Sequence, residues 1–239
     1  MTGKVAIISG GSRGIAAGLV AGYRGRGWAV VASARTIKPS QDPDLITVAA
    51  DTTDPATTDR IVSAALKRFG RIDTLVNNAS IHLSKPFTDY TAADYAAITG
   101  VNLAGFFWLT QRAIAEMATR YGGHVVNVLA TIGGLADSGA PAVLAALTKG
   151  GQAAATRSLA IEYASRGIRV NAVAPGIIQT PVHPAGSDDD HGGRLPPLGH
   201  AGQISDVVNA TLFLESSPYI TGEILHVDGG QIAGYEGPG

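Results

Sequence analysis

The sequence has no cysteine, which removes disulfides, thiolate nucleophiles and cysteine-ligated metals. It is sparing with aromatics, at 6%, and with charge, at 15%. Its 18 Lys plus Arg nearly balance 19 Asp plus Glu, giving a formal net charge of -1. Such a balance offers no basic face for neutralising phosphates, so nucleic acid is not an expected partner. Long apolar runs are missing too. Stretches such as Val5 to Ile8 and Gly167 to Val173 are soon interrupted by Gly or charge, and no membrane span is expected. The start, Met1-Thr2-Gly3-Lys4, lacks the successive charged, apolar and small-residue zones of an export signal, so a cytoplasmic location is expected.

What is present is a chain of 239 residues, 45% hydrophobic, long enough to bury a large core as a single domain over residues 1–239. Its 31 glycines follow no G-X-Y period, so they read as tight turns and close backbone approaches. Strand-like runs alternate with helical patterns: Lys4 to Ser9, then Gly14 to Gly25; Ala29 to Ala34; Leu45 to Ala49, then Pro55 to Phe69; Thr74 to Asn77, then Ala92 to Arg120. The order continues with Val125 to Val128, Pro141 to Ser165, Arg169 to Ala174, Ser205 to Ser216 and Glu223 to Val227. Runs such as Val-Val-Asn-Val show little period-2 alternation, as parallel strands covered on both faces require. The expected fold is α/β, a doubly wound parallel sheet of about seven strands with helices on both faces, of the Rossmann type. Asp54-Pro55 and Ser205-Asp206 are the expected openings of two helices. The proline-bearing segment between Arg35 and Leu45 is expected to be a loop. Residues 177–203, irregular and beyond a strand's C-terminal end, are the expected lid.

The first strand runs into Ser9-Gly10-Gly11-Ser12-Arg13-Gly14-Ile15-Ala16, a glycine-rich turn opening a helix. Such a turn lets backbone amides approach a pyrophosphate whose charge the helix N-terminus favours, although a turn of this kind also occurs without a ligand. Further segments follow in order: Asp51-Thr52, Asn77-Asn78-Ala79-Ser80, Asn102, Pro175-Gly176-Ile177-Ile178-Gln179-Thr180 and Thr221 to Gly230. Together they resemble the short-chain dehydrogenase/reductase superfamily over essentially the whole length. Ser9, Ala16 and Ser80 stand where that family's motifs carry Thr, Gly and Gly. The resemblance implies a nicotinamide dinucleotide held by Gly10, Ser12, Arg13, Gly14, Ile15 and Thr52, with Asp51 toward the adenine. Asn77 and Ala79 would lie on the ribose side, Lys149 on the ribose itself and Thr180 on the nicotinamide amide, with Pro175, Gly176 and Ile178 also among the cofactor-binding residues. For Asp51 and Thr180 a plain cap or turn role stays open. No acid ends the second strand, where NAD sites usually place one; Ala34-Arg35 stands there and Arg13 projects from the turn. NADP(H) is therefore expected over NAD(H), with Arg13 and Arg35 on the 2′-phosphate.

The resemblance also implies a Tyr-x-x-x-Lys pair on the helix after the fifth strand, with a Ser near that strand's end and an Asn in the preceding helix. Lys149 matches the Lys and Asn102 the Asn, but Ala145 stands at the Tyr position, and no tyrosine occurs between Tyr121 and Tyr163. Ala130 takes the place of the Ser, and Thr131 follows one residue late. The candidate catalytic residues are Asn102, Lys149, Thr131, His82 and His183. Three readings stand: an NADP(H)-dependent reductase with a substituted proton donor, a non-redox enzyme performing an elimination, isomerisation or cyclisation, and a nucleotide-binding protein without catalysis. Leu144, Ile177, Ile178, Val182, Leu195 and Leu198 point to a small, largely nonpolar substrate. A homodimer or homotetramer through the two long helices is implied by the resemblance. Asp188-Asp189-Asp190-His191 reads as a solvated run, so no metal is expected, and His124, His200 and His226 read as strand-edge or surface residues.

Overall fold

The computed structural model describes residues 3–131, 141–180 and 195–234. Its centre is a parallel sheet of seven strands in the order β3-β2-β1-β4-β5-β6-β7. The strands are β1 (Val5–Ser9), β2 (Ala29–Ala34), β3 (Leu45–Ala49), β4 (Thr74–Asn77), β5 (Gly123–Val128), β6 (Ile168–Pro175) and β7 (Ile224–Val227). Chain direction across the sheet reverses between β1 and β4, the switch point at which open α/β sheets bind ligands. All five residues of β1 are buried, whereas the edge strands β3 and β7 are largely half-buried.

The pleat sends alternate side chains into two cores. Val5 and Ile7 pack with Ile61, Val62, Leu109 and Met117 from α2 (Pro55–Phe69) and α4 (Phe106–Ala118). Ala6 and Ile8 pack with Leu19, Tyr23, Val207 and Leu214 from α1 (Gly14–Gly25) and α6 (Ile204–Ser216) on the opposite face. Two further helices, α3 (Ala92–Thr99) and α5 (Val143–Tyr163), complete the set.

Local chemistry sets the helix ends. The Asp54 carboxylate accepts from the Ala56 amide at 2.9 Å, Pro55 opens α2, and Gly70 closes it with φ 74°. The last helix does not open at Ser205 as expected. Asp206 accepts from the Gln203 amide at 2.7 Å, and this reach back of three residues places the N-cap at Gln203. The expected single helix from Ala92 to Arg120 is also modified: between α3 and α4 the chain makes a π-turn, Gly100–Gly105. Residues 35–44 contain no helix, and Arg24 anchors that crossover on Asp42 at 2.8 Å.

The N-terminal edge of the sheet holds a buried polar network. His124, expected at a strand edge or on the surface, is only 2% exposed. Its Nδ1 lies 3.1 Å from Glu215 Oε2, which also accepts from Thr74 Oγ1 at 2.8 Å and Tyr23 Oη at 3.0 Å. His124 Nε2 faces two donors, Asn171 Nδ2 at 3.0 Å and Arg169 Nη1 at 3.4 Å. Because both are donors, Nε2 must accept, so the proton sits on Nδ1 and the ring is neutral. Burial holds the His124 pKa below its usual range. Burial opposes ionisation of Glu215 as well, but hydrogen bonds from His124, Thr74 and Tyr23 outweigh it and hold that carboxyl low. Arg169 also donates to the carbonyls of Leu214, Glu215 and Ile220, tying the end of α6 to β6.

Among the described residues, no helix is long and apolar enough to cross a membrane, and no group of three His, Asp or Glu is placed to hold a metal ion. The run Asp188 to His191 lies outside the described residues.

Candidate functional site

The glycine-rich turn is built on one buried hydroxyl. Ser9 ends β1, is 3% exposed, and its Oγ accepts from the amides of Asn78 at 3.0 Å and Ala79 at 3.1 Å, joining β1 to the segment after β4. Gly10 follows with φ 75°, and a Cβ there would lie 2.8 Å from Asn78 Nδ2 and 3.1 Å from Ala79 Cα, so only glycine fits. Ser12 and Arg13 are exposed at the rim. Arg13, in extended conformation, is the N-cap of α1 but makes no side-chain cap bond, and Gly14 and Ile15 open the helix. The first turn therefore has no side chain competing for its free amides, the arrangement an anionic ligand needs.

Arg35 is exposed immediately beyond β2. Asp51, just past β3, accepts on Oδ1 from the Thr53 amide at 3.0 Å and the Thr53 hydroxyl at 2.9 Å. Those bonds hold its pKa below the usual carboxylate range, with the nearby Arg35 charge adding to the effect. Asp51 thus has the turn role, with Oδ2 outside both bonds. Thr52 is buried at 8% exposed.

Beyond β6, the Gly176 amide donates to Val227 O at 3.0 Å, and a Cβ on Gly176 would lie 2.8 Å from Asp228 Cα. Pro175 is buried at the end of the strand. Ile178 pairs with Gly202, fastened by Gln179 N to Gly202 O at 2.8 Å and Gly202 N to Ile177 O at 2.9 Å, so the two ends of the expected lid lie side by side. Thr180 is half-buried there. Leu195 and Leu198 are 55% and 68% exposed. Val182 and His183 fall outside the described residues.

Lys149 lies on α5, 6% exposed, and Nζ donates to Val128 O at 2.8 Å. Burial pushes its pKa down to about 8. Ala145 stands one turn earlier on the same helix face and is also buried. Asn102, in the π-turn, has its amide fully engaged: Oδ1 accepts from the Ile81 amide at 2.9 Å, and Nδ2 donates to Ile81 O at 3.0 Å and Thr148 Oγ1 at 3.2 Å. It pins the turn after β4 to the helix that carries Lys149. Asn77 donates to Thr110 Oγ1 at 2.8 Å and Asn127 Oδ1 at 3.0 Å, locking the end of β4 to α4 and β5. His82 is exposed one residue beyond Ile81. The hydroxyl of Thr131 is buried and turned toward β6 and β7, 3.3 Å from Ala174 O and 3.2 Å from Asp228 Oδ2.

The structure thus ties Asn102 to Thr148, next to Lys149 on the same helix, while Lys149 itself bonds Val128 O and the Thr131 hydroxyl turns toward β6 and β7. Sequence reasoning missed Gln152, whose Nε2 donates to Asn102 O at 2.6 Å. Its only signal was a large polar side chain one turn beyond Lys149 in a helix otherwise rich in Ala and Gly.

Residues 10–231 match the family described as enoyl-(acyl carrier protein) reductase. The chain is 34% identical over 238 residues to the 3-oxoacyl-(acyl-carrier-protein) reductase FabG of Escherichia coli (strain K12), covering 95% of this chain and 97% of that one. Among solved structures it is similar to ElxO with NADP bound, with a TM-score of 0.88, 28% identity and coverage of 97% and 99% of the two chains. It is also similar to the 3-ketoacyl-(acyl-carrier-protein) reductase of Brucella melitensis complexed with NADH, with a TM-score of 0.85, 30% identity and coverage of 96% and 98%.

Proposed function

The chain belongs to the short-chain dehydrogenase/reductase superfamily, a family of oxidoreductases, and from that premise we propose that it is an NADP(H)-dependent reductase of a small, largely nonpolar substrate that needs no tyrosine acid. The rim fits a phosphorylated dinucleotide: a turn closed to any side chain at Gly10, an uncapped helix N-terminus behind it, and exposed arginines at positions 13 and 35. Neither arginine makes an ion pair among the described residues. Solved relatives hold NADP in one case and NADH in another, so the preference for NADP(H) rests on those arginines and on the absence of an acid after β2.

Lys149 carries the reading. With a pKa of about 8 its ammonium is largely protonated at pH 7, and only one of its three donors is spent on protein, at Val128 O. The remaining donors suit the cofactor ribose and the reacting atom. The bound cofactor supplies a hydride. Without the tyrosine, acid catalysis of an ordinary ketone is weaker by about 10² to 10⁴. The favoured substrates are therefore those activated beforehand. An iminium needs no proton once it accepts hydride, and a conjugated alkene yields an enolate that Lys149 protonates. A homodimer or homotetramer through α4 and α5 belongs to the same reading, because Phe107, Leu147 and Ile161 on those helices are 53%, 60% and 81% exposed.

The second reading, cofactor-dependent non-redox chemistry or nucleotide binding alone, draws on the engaged Asn102 amide and the averted Thr131 hydroxyl, which leave few donors near Lys149. Deuterium at the 4-position of NADPH separates the two. Appearance of label in a reduced iminium or enone supports the proposal; turnover with unchanged nicotinamide absorbance, or tight binding without turnover, replaces it with the second reading.

A further inference from the structure

Among the described residues, only two buried side-chain polar atoms have no hydrogen-bond partner: Ser33 Oγ and Gln152 Oε1. Gln152 is 4% exposed and lines a cavity of about 10 Å³ whose wall also includes Ser9, Thr52, Asn77, Val101 and Gly105. The amide orientation is settled by Asn102 O, 2.6 Å from the Gln152 nitrogen, since a flipped amide would set oxygen against oxygen. The orphaned oxygen is thus directed away from that contact.

We propose that this cavity holds one ordered water on Gln152 Oε1, and that Gln152 is a positioning residue linking the π-turn of Asn102 to the floor of the dinucleotide site. A water needs roughly 10 to 15 Å³ and two or more polar partners, and apolar cavities of this kind stay dry. Here the partners are at hand. Asn77 spends its nitrogen on Thr110 and Asn127 and keeps its oxygen, and the Thr52 hydroxyl lies in the same wall. The π-turn presses directly on that wall, because a Cβ on Gly105 would lie 2.7 Å from Thr52 Oγ1. One side chain therefore does two things. Its nitrogen caps the carbonyl of the residue that orients Ile81 and Thr148, and its oxygen satisfies a water shared with Thr52 and Asn77. The link to cofactor rests on the proposed dinucleotide site; the water does not.

The test compares the full-length protein with Gln152→Met, of similar length and unable to donate or accept, and with Gln152→Glu. A high-resolution crystal structure of the wild type is expected to show a water within hydrogen-bond distance of Gln152 Oε1, absent in Gln152→Met. NADPH affinity, read by nicotinamide fluorescence, is expected to fall about tenfold in Gln152→Met, the worth of one well-made buried hydrogen bond. Gln152→Glu is expected to bind weakly at pH 8 and to recover toward wild-type affinity at pH 6, where the buried carboxyl takes a proton and donates to Asn102 O again. An empty cavity in the wild type overturns the water site, and wild-type affinity in Gln152→Met overturns the positioning role. Should Gln152→Met not fold, a flat pH profile for Gln152→Glu overturns that role instead. If the wild type binds no NADPH the dinucleotide reading fails, while the presence or absence of the water still decides the site.

Discussion

Replacing Lys149 by methionine is expected to stabilise the cofactor-free protein while abolishing its activity. Burial moves the Lys149 pKa from 10.5 to about 8, which corresponds to a penalty of about 3 kcal/mol on the charged form. Methionine fills a similar volume without that penalty. It forfeits the bond to Val128 O, worth about 1 kcal/mol. The net gain near pH 7 is about 2 kcal/mol, or roughly 4 to 8 °C in Tm for a domain of this size. Below pH 8 the ammonium is charged in both folded and unfolded chains, so the full penalty acts. As pH rises from 8 toward 10.5 the folded protein releases the proton and the unfolded chain keeps it, and the wild type recovers. Urea unfolding of both proteins at pH 7 and pH 9.5 measures this directly: Gln152 and the rest of the site are untouched, and the stability gap should narrow at the higher pH. A variant less stable than the wild type at pH 7, or a gap independent of pH, would refute the electrostatic account of Lys149.

Arg35→Asp should weaken NADPH binding by about tenfold to a hundredfold, the loss of a charge-assisted contact, with NADH affinity unchanged or improved; titration with both cofactors checks this. Ala145→Tyr should create ketone reduction where little existed, read as NADPH consumption with a simple ketone, and its absence would mean that more than the acid is missing. The network at the sheet base should make the fold acid-sensitive. His124, with its folded pKa lowered, costs stability as pH falls below about 6.5, and Glu215 acts in the same direction below about 4.5. Unfolding midpoints measured from pH 8 to pH 4 should fall more steeply in the wild type than in His124→Gln.

The strands were readable because each is a short buried run bounded by turn residues, and the β1 and β4 runs match their observed limits within one residue. The glycine-rich turn was readable because Gly10 has no alternative: its φ and its contact with Asn78 both forbid a side chain. The π-turn at Gly100–Gly105 was not readable from its own residues, and the side chain that holds its Asn102 carbonyl, Gln152, lies 50 residues away. His124 was misjudged for the same reason: a polar residue at a strand start looks exposed until its partner Glu215, 91 residues on, is brought beneath it. The cap at Gln203 eluded composition because Gln is not a preferred N-cap, and only Asp206 reaching back revealed it. Sequence pattern records local periodicity well, but hydrogen bonds between distant polar side chains leave no local trace.

The imidazole and carboxylate at the foot of the strands make the two ends of this molecule separable for engineering. Tyr23, Thr74, Asn171 and Arg169 fasten the ends of five elements below, and none of their hydrogen bonds among the described residues reaches the turn at Gly10 or the helix position of Ala145. A library randomised over the upper loops would therefore be selected against a constant foundation. Changes in what such variants bind could then be credited to the loops themselves rather than to losses of folding.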